Sequence, residues 1–267
     1  MGLGESSRSV DSPIEKCIPS EEGDCELEKA PASKFRRVAA RLNYLSTDRP
    51  DIQFAVKEIC RGMAIPLERH SKMLKRIARY LLDKPTLVIN FNESPEEEFE
   101  TIEGFCDTDW AGCKQTRKST SGGMLVMGKS IVKSWAKTQT VIATSSAEAE
   151  YYGLAKATAE ALGLKSLCKD LGISVSHINM WVDSSAAKAV AGRVGAGKLR
   201  HVEVAHLWIQ SQVQERKIRV KKIKGVENPA DILTKPKFVK EMREHLSKLG
   251  VEVISVPRFR DGAEEGC

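Results

Sequence analysis

The chain has 267 residues, 41% of them hydrophobic and 29% charged, with a formal net charge of +6 at pH 7. That length supports one large or two modest domains with a proper core. No apolar run approaches the length a bilayer requires, and the N-terminus lacks the apolar segment of a secretory signal. Seven scattered cysteines without a CxxC pair suggest neither a disulfide framework nor a zinc site, so an intracellular protein with reduced thiols is the expectation.

Charge is spread unevenly. Residues 1–33 hold eight acids against three bases, are rich in Ser, Glu and Pro, and show no sustained apolar period, so an acidic disordered leader is expected there. The remainder is basic, which is compatible with a polyanionic partner. Order is predicted from Lys34, with three helices in "KFRRVAARLNYL", "RPDIQFAVKEICRGMA" and "PLERHSKMLKRIARYLL". The second places Ile52, Val56, Ile59 and Met63 on one stripe, with Pro50 where a first helical turn tolerates it. The third carries His70, Leu74, Ile77 and Leu81 on one face and Arg69, Lys72, Arg76 and Arg79 on another. The basic stripe reads either as a solvated surface or as a phosphate grip.

"TLVINFN" is strand-like, and the acidic stretch "ESPEEEFE" marks a boundary after it. Strands are then expected over 101–107, in "GGMLVMG" and in "IVKSWAK", with Gly128 and Lys129 as a hairpin turn between the last two. Ser145 followed by Glu148 has the capping-box pattern and opens a long helix, whose apolar stripe Leu154, Ala157, Ala161, Leu164, Cys168 and Leu171 ends at Gly172. The strand "HINMWVD", a helix through "SSAAKAVAG", a helix near "VEVAHLWIQSQVQ", the strand "KIRVKKIKG" and a last helix from "NPADILTK" follow. Three successive strands and then alternating helices and strands predict a mixed sheet covered by helices.

Several carboxylates stand where charge is costly. Asp107 and Asp109 close a strand, and an ionised group at the edge of a packed sheet needs a positive partner. Glu150 lies four residues before Leu154 and so falls on the buried stripe. Asp183 ends a strand as the chain turns into a helix, where open α/β sheets keep their ligands. Asp231 occupies a first helical turn. Each has an ordinary explanation: a buried salt bridge for Glu150, an N-cap for Asp183, the helix dipole for Asp231. Converging on one sheet edge, Asp107, Glu150, Asp183 and Asp231 would instead bind hard divalent cations. Two such ions roughly 4 Å apart activate a water and stabilise the leaving oxygen in phosphodiester hydrolysis.

The stretches "CDTDWAG", "RKSTSGG", "KSWAKTQTVIATSSAEAEYYGLAKA", "WVDSSAA" and "NPADILTKP", in this order, resemble the ribonuclease H domain of copia-type retrotransposon Pol polyproteins. Upstream, "YLSTDRPDIQFAVKEICRGMAIPLERHSKMLKRIARYL" resembles the thumb-like helices that follow the reverse transcriptase palm. The resemblance implies an α/β fold: a ribonuclease H-like mixed five-stranded sheet flanked by helices over 100–236, a thumb-like helical segment over 34–92, and a C-terminal helix and tail over 237–267. It matches Asp107, Glu150, Asp183 and Asp231 to the metal-binding, catalytic acids. Asp109 is then a neighbour and Glu148 the capping acid. The implied cofactor is Mg²⁺, as two ions, with Mn²⁺ able to substitute.

The implied reaction is endonucleolytic hydrolysis of the RNA strand of RNA/DNA hybrids, with RNA recognised through its 2′-hydroxyl. Arg117, Lys118, Lys137 and the stripe Arg69, Lys72, Arg76 and Arg79 are candidate contacts to the hybrid's backbone. Implied partners are the hybrid and the rest of the polyprotein, since the palm's paired-aspartate motif is absent from this chain. The implied setting is a cytoplasmic virus-like particle or the nucleus, without a membrane. Two departures stand out: "KLRHVEVAHLWIQSQ" is poorer in bases than the family pattern, with Leu207 near the place of a histidine, and no histidine shortly precedes Asp231. They leave a second reading open, a catalytically silent nucleic-acid-binding relic.

Overall fold

The computed structural model describes residues 8–15, 23–91, 100–195 and 204–255. Three helices come first, α1 (Lys29–Leu45), α2 (Pro50–Arg61) and α3 (Glu68–Asp83), followed by strand β1 (Thr86–Ile89). Helix α1 starts five residues before the expected Lys34, with Pro31 in its first turn, where no backbone N–H is needed for an intrahelical bond. α2 is buried nearly all round, from Pro50 to Ile59. It is therefore the central helix of its layer, packed against α1 and α3.

The expectation of a disordered acidic leader is corrected for its described part. Ile14 is buried, Glu26 bridges to Leu67, Glu15 pairs with Arg76 at 2.8 Å and Asp24 with Arg69 at 3.7 Å. Arg79 Nε also donates to the Arg8 carbonyl at 2.6 Å. Composition treats the acids as self-repelling, but the basic stripe of α3 supplies their counter-charge.

A five-stranded sheet follows, built from β2 (Thr101–Asp109), β3 (Thr120–Met127), β4 (Ser130–Thr138), β5 (His177–Val182) and β6 (Arg219–Lys222). Its order is β4-β3-β2-β5-β6, with β2, β3 and β4 antiparallel and β5 and β6 parallel to β2. The two-residue turn at Gly128 (φ 59°) joins β3 to β4 as its sequence predicts. Alternation along the strands sorts their side chains between two cores. Ile102, Cys106, Leu125, Ile178 and Met180 face α4 (Ser146–Asp170), together with α5 (Ser185–Ala191) and α6 (Val204–Gln214).

Met124 and Val126 point to the opposite face, where α2 packs beside a 3₁₀ turn (Pro229–Leu233) and α7 (Val239–Ser247). The expected helix from Asn228 is thus only one 3₁₀ turn: Pro236 bars a continuing helix and disfavours helical backbone at Lys235. Strand β7 (Val251–Ile254) then returns to pair antiparallel with β1, Thr86 opposite Ile254 and Ile89 opposite Val251. The segments expected as 34–92, 100–236 and 237–267 therefore share one core, in which Ile52, Val56 and Ile59 meet Val126, Leu233 and Leu246. No helix among the described residues is long and apolar enough to cross a membrane.

Candidate active site

The carboxylates gather at the end of the sheet where β2 and β5, being parallel, both finish. Asp107 lies near the end of β2, Asp183 directly follows β5, and Glu150 sits one turn into α4. One oxygen from each of Asp107, Glu150 and Asp183 lies within 4.8 Å of the others. α4 can approach β2 this closely because position 153 is glycine: a Cβ there would stand 2.6 Å from Thr108 Oγ1. The paired glycines of "SGG" have the same logic, since a Cβ on Gly122 would stand 2.7 Å from Leu233 Cβ and push the 3₁₀ turn off the sheet.

The ordinary explanations for two of these acids do not hold. Helix α5 is capped by Ser184, whose Oγ accepts from Ala187 N at 3.1 Å, so Asp183 is not used as the cap. Glu150 forms no salt bridge among the described residues, and its buried Oε2 has no hydrogen-bond partner. Burial, and then the charges of Asp107 and Asp183, push its carboxyl up to about 9. Asp107 is pushed up to about 6, by burial first and against the bond it accepts from Thr234.

Glu148 is occupied elsewhere. Its backbone N–H donates to Ser145 Oγ at 3.2 Å, and its carboxylate accepts from Thr144 N and Oγ1 and from Tyr152 OH, which closes the start of α4. Asp109, last in β2, lies outside the three-acid group; burial raises its carboxyl as well.

Asp231 reaches the same corner from the 3₁₀ turn, and its charge is felt by Asp107. Lys237 pairs with its Oδ2 and Lys235 Nζ stands 2.6 Å from its Oδ1, an oxygen that, like Glu150 Oε2, is buried without a hydrogen-bond partner. Asp231 stands beside the group formed by Asp107, Glu150 and Asp183. Two further residues of this turn belong to the site. Thr234 Oγ1 donates to Asp107 Oδ2 at 2.5 Å, and Asn228 Nδ2 donates to the Cys106 carbonyl at 2.8 Å. Asn228 is visible in the sequence as a turn cap ahead of Pro229, whereas a buried threonine after a leucine leaves no signal.

The basic candidates divide into two sets. Arg117, exposed, and Lys118, half-exposed, lie in the loop between β2 and β3, and Lys137, exposed, lies on β4. A groove of about 320 Å³ beside Lys137 is lined by Thr140, Tyr152, Lys156 and Trp208. Arg69, Arg76 and Arg79 face the N-terminal segment on α3 instead, and Lys72 is exposed next to them.

Sheet order, strand directions and the acids at this edge define a ribonuclease H-like fold. No family model matches the chain. Over 221 residues, 82% of the chain, it is 31% identical to the retrovirus-related Pol polyprotein from transposon RE1 of Arabidopsis thaliana. Over 227 residues, 84% of the chain, it is 30% identical to the one from transposon RE2 of the same plant. The chain belongs to this family of copia-type, retrovirus-related Pol polyproteins, and it spans 15% of the length of each of these two relatives. Among solved structures it is similar to LC11-RNase H1, isolated from compost by a metagenomic approach, with a TM-score of 0.40 and 18% identity over 51% of this chain and 93% of that one.

Proposed function

We propose that the chain hydrolyses the RNA strand of RNA/DNA hybrids endonucleolytically, as the ribonuclease H part of a copia-type reverse transcriptase. The observation that carries this reading is the gathering of Asp107, Glu150 and Asp183, the first two buried, with one buried Glu150 oxygen left without a hydrogen-bond partner. An all-oxygen carboxylate set suits Mg²⁺ or Mn²⁺ and no softer metal. These three residues, with Asp231 beside them, would hold the ions. Bound there, divalent ions supply Lewis-acid stabilisation of phosphoryl oxygens and a water of lowered pKa.

The chain's own residues do the rest. Thr234 fixes the rotation of the Asp107 carboxylate, and Asn228 ties the 3₁₀ turn to the strand that carries it. Lys235 and Lys237 offset the charge of Asp231, so that four acids tolerate one corner before any cation arrives. Arg117, Lys118 and Lys137 would take the hybrid's phosphates, and the groove beside Lys137 would receive one strand. The stripe Arg69, Lys72, Arg76 and Arg79 would join only where the N-terminal segment is displaced from it. The rest of the polyprotein, with its palm, would be the partner, in a cytoplasmic particle or the nucleus.

The held state of Asp231 favours one other reading, a catalytically silent module that binds hybrids. Cleavage of a labelled RNA/DNA hybrid with Mg²⁺ or Mn²⁺, beside Asp107→Asn and a DNA duplex, separates the two. Cutting of the RNA strand by the wild-type chain alone is the expected result; hybrid bound but uncut by both forms supports the silent module.

A further inference from the structure

The loop between β2 and β3 leaves the acid corner after Asp109 and rejoins the sheet at Thr120. It holds two non-glycine residues with left-handed backbone, Ala111 at φ 53° and Arg117 at φ 57°. Such backbone persists only where the surroundings over-determine it. Its hub is Cys113, 8% exposed, whose sulfur accepts from Thr116 Oγ1 at 2.9 Å, Thr116 N at 3.3 Å and Arg61 Nη2 at 2.7 Å. Arg117 N donates to the Cys113 carbonyl at 2.7 Å and Cys113 N to the Lys118 carbonyl at 3.2 Å, which closes the tip that carries the two bases.

Arg61 belongs to the helical layer, as the last residue of α2. On the same turn Glu58 accepts from Arg61 Nη1 at 2.9 Å and pairs with Lys57, and Lys57 Nζ donates to Thr120 Oγ1 at 2.7 Å. One turn of α2 thus grips the loop near its middle and at its far end, with a buried glutamate between the two cations. Burial works against a thiolate at Cys113, yet the Thr116 donors and the Arg61 guanidinium outweigh it and hold the thiol below its ordinary value. A sulfur of that character is a strong acceptor.

Gluing α2 to the sheet does not require these charges. Apolar contacts already join them, and buried ion pairs are commonly replaceable by apolar residues without loss of stability. What the charges reach is the loop itself. We infer that Lys57, Glu58 and Arg61 are positioning residues for substrate: acting through Cys113 and Thr120, they set Arg117 and Lys118 against the nucleic-acid backbone beside the acid corner. The helical layer then takes part in the substrate binding of the nuclease, an inference that rests on the hybrid-cleavage reading.

The test uses the full chain with Arg61→Met, Arg61→Lys, the exposed pair Arg117→Ala/Lys118→Ala, and Arg61→Met combined with that pair. With a labelled hybrid and Mg²⁺, Arg61→Met should raise KM about tenfold at nearly constant kcat and flatten the salt dependence of binding, as lost phosphate contacts do. Arg61→Lys should restore part of the affinity. The combined variant should bind no worse than the exposed pair alone, because both changes remove the same interaction. Amide exchange over residues 110–118 should quicken in Arg61→Met without substrate. Additive losses, unchanged exchange, or a fall in activity that only tracks the unfolded fraction would overturn the inference. Hybrid affinity measured in EDTA keeps the two readings apart, since a chain that binds through this loop but never cuts defeats the nuclease reading alone.

Discussion

Burial at the head of α4 leaves Glu150 facing Asp107 and Asp183 without a salt-bridge partner among the described residues, and these effects outweigh the pull of Lys235, so its carboxyl holds a proton up to about pH 9. The unfolded chain releases that proton near the ordinary glutamate value. Between those limits the native state binds more protons than the unfolded state, so stability without metal falls as pH rises from about 5 to 9, by up to ~1.4 kcal/mol per pH unit. Asp107, raised to about 6, adds to the fall over a narrower window. Chemical denaturation of the EDTA-treated protein at pH 5.5, 7 and 8.5 should show this decline, and Glu150→Gln should remove most of it while stabilising the protein at pH 8.5. Equal slopes in the two proteins would mean that Glu150 is ionised and paired. On the proposed metal-binding reading Mg²⁺ would displace the same proton, so its affinity should rise over the same range. This residue was legible because it stands one turn before Leu154 on an apolar stripe. Thr234 and Cys113 were not, since a hydroxyl or thiol that serves a distant side chain leaves no periodicity in the sequence.

At the scale of elements, the 3₁₀ turn Pro229–Leu233 does more for the site than its length suggests. Asn228, with no exposed surface, accepts from Ala230 N at 3.2 Å to start the turn and donates to the Cys106 carbonyl, one residue before Asp107. Replacing it by alanine removes a cap and leaves a buried carbonyl unmet, a loss of about 2 kcal/mol. Asn228→Ala should therefore lower the midpoint of urea unfolding, whereas Asn228→Asp should keep the cap but still lose the donor. If both variants unfold like the wild type, the turn is held by Leu233 and its apolar contacts alone. The cap, the proline and the acid here do read as a helix start, and only Pro236 shows that the helix stops at once. β7 was missed for a different reason: four residues carry too short a pattern, and their partner β1 lies more than 160 positions away. Tyr80 supplanted Leu81 on the buried face of α3 because its hydroxyl finds Asp51, at 2.8 Å, inside the helical layer.

The net charge of the whole molecule conceals an internal pairing, in which acids of the N-terminal segment meet bases of α3, and that pairing was visible in the sequence only as two unrelated runs. Its core conceals a similar dependence. One face of the sheet is completed by α2 and α7, elements outside the stretch that resembles a free-standing nuclease domain, and the apolar residues Met124, Val126 and Ile131 are buried in the core that those helices share with the 3₁₀ turn. A fragment of residues 100–236 would expose that face. At about 25 cal/mol per Å² of apolar surface, losing several such side chains costs an amount comparable to the roughly 5–15 kcal/mol by which domains are stable. The fragment should therefore be aggregated or molten, binding a hydrophobic dye and lacking a cooperative thermal transition, while residues 8–255 unfold cooperatively. Removal of the helices also removes Arg61 and Lys57, so a fragment that folded would still be expected to bind hybrids weakly. A cooperative transition in the fragment would show that the sheet and α4 suffice as a folding unit, and that the helices contribute to substrate binding alone.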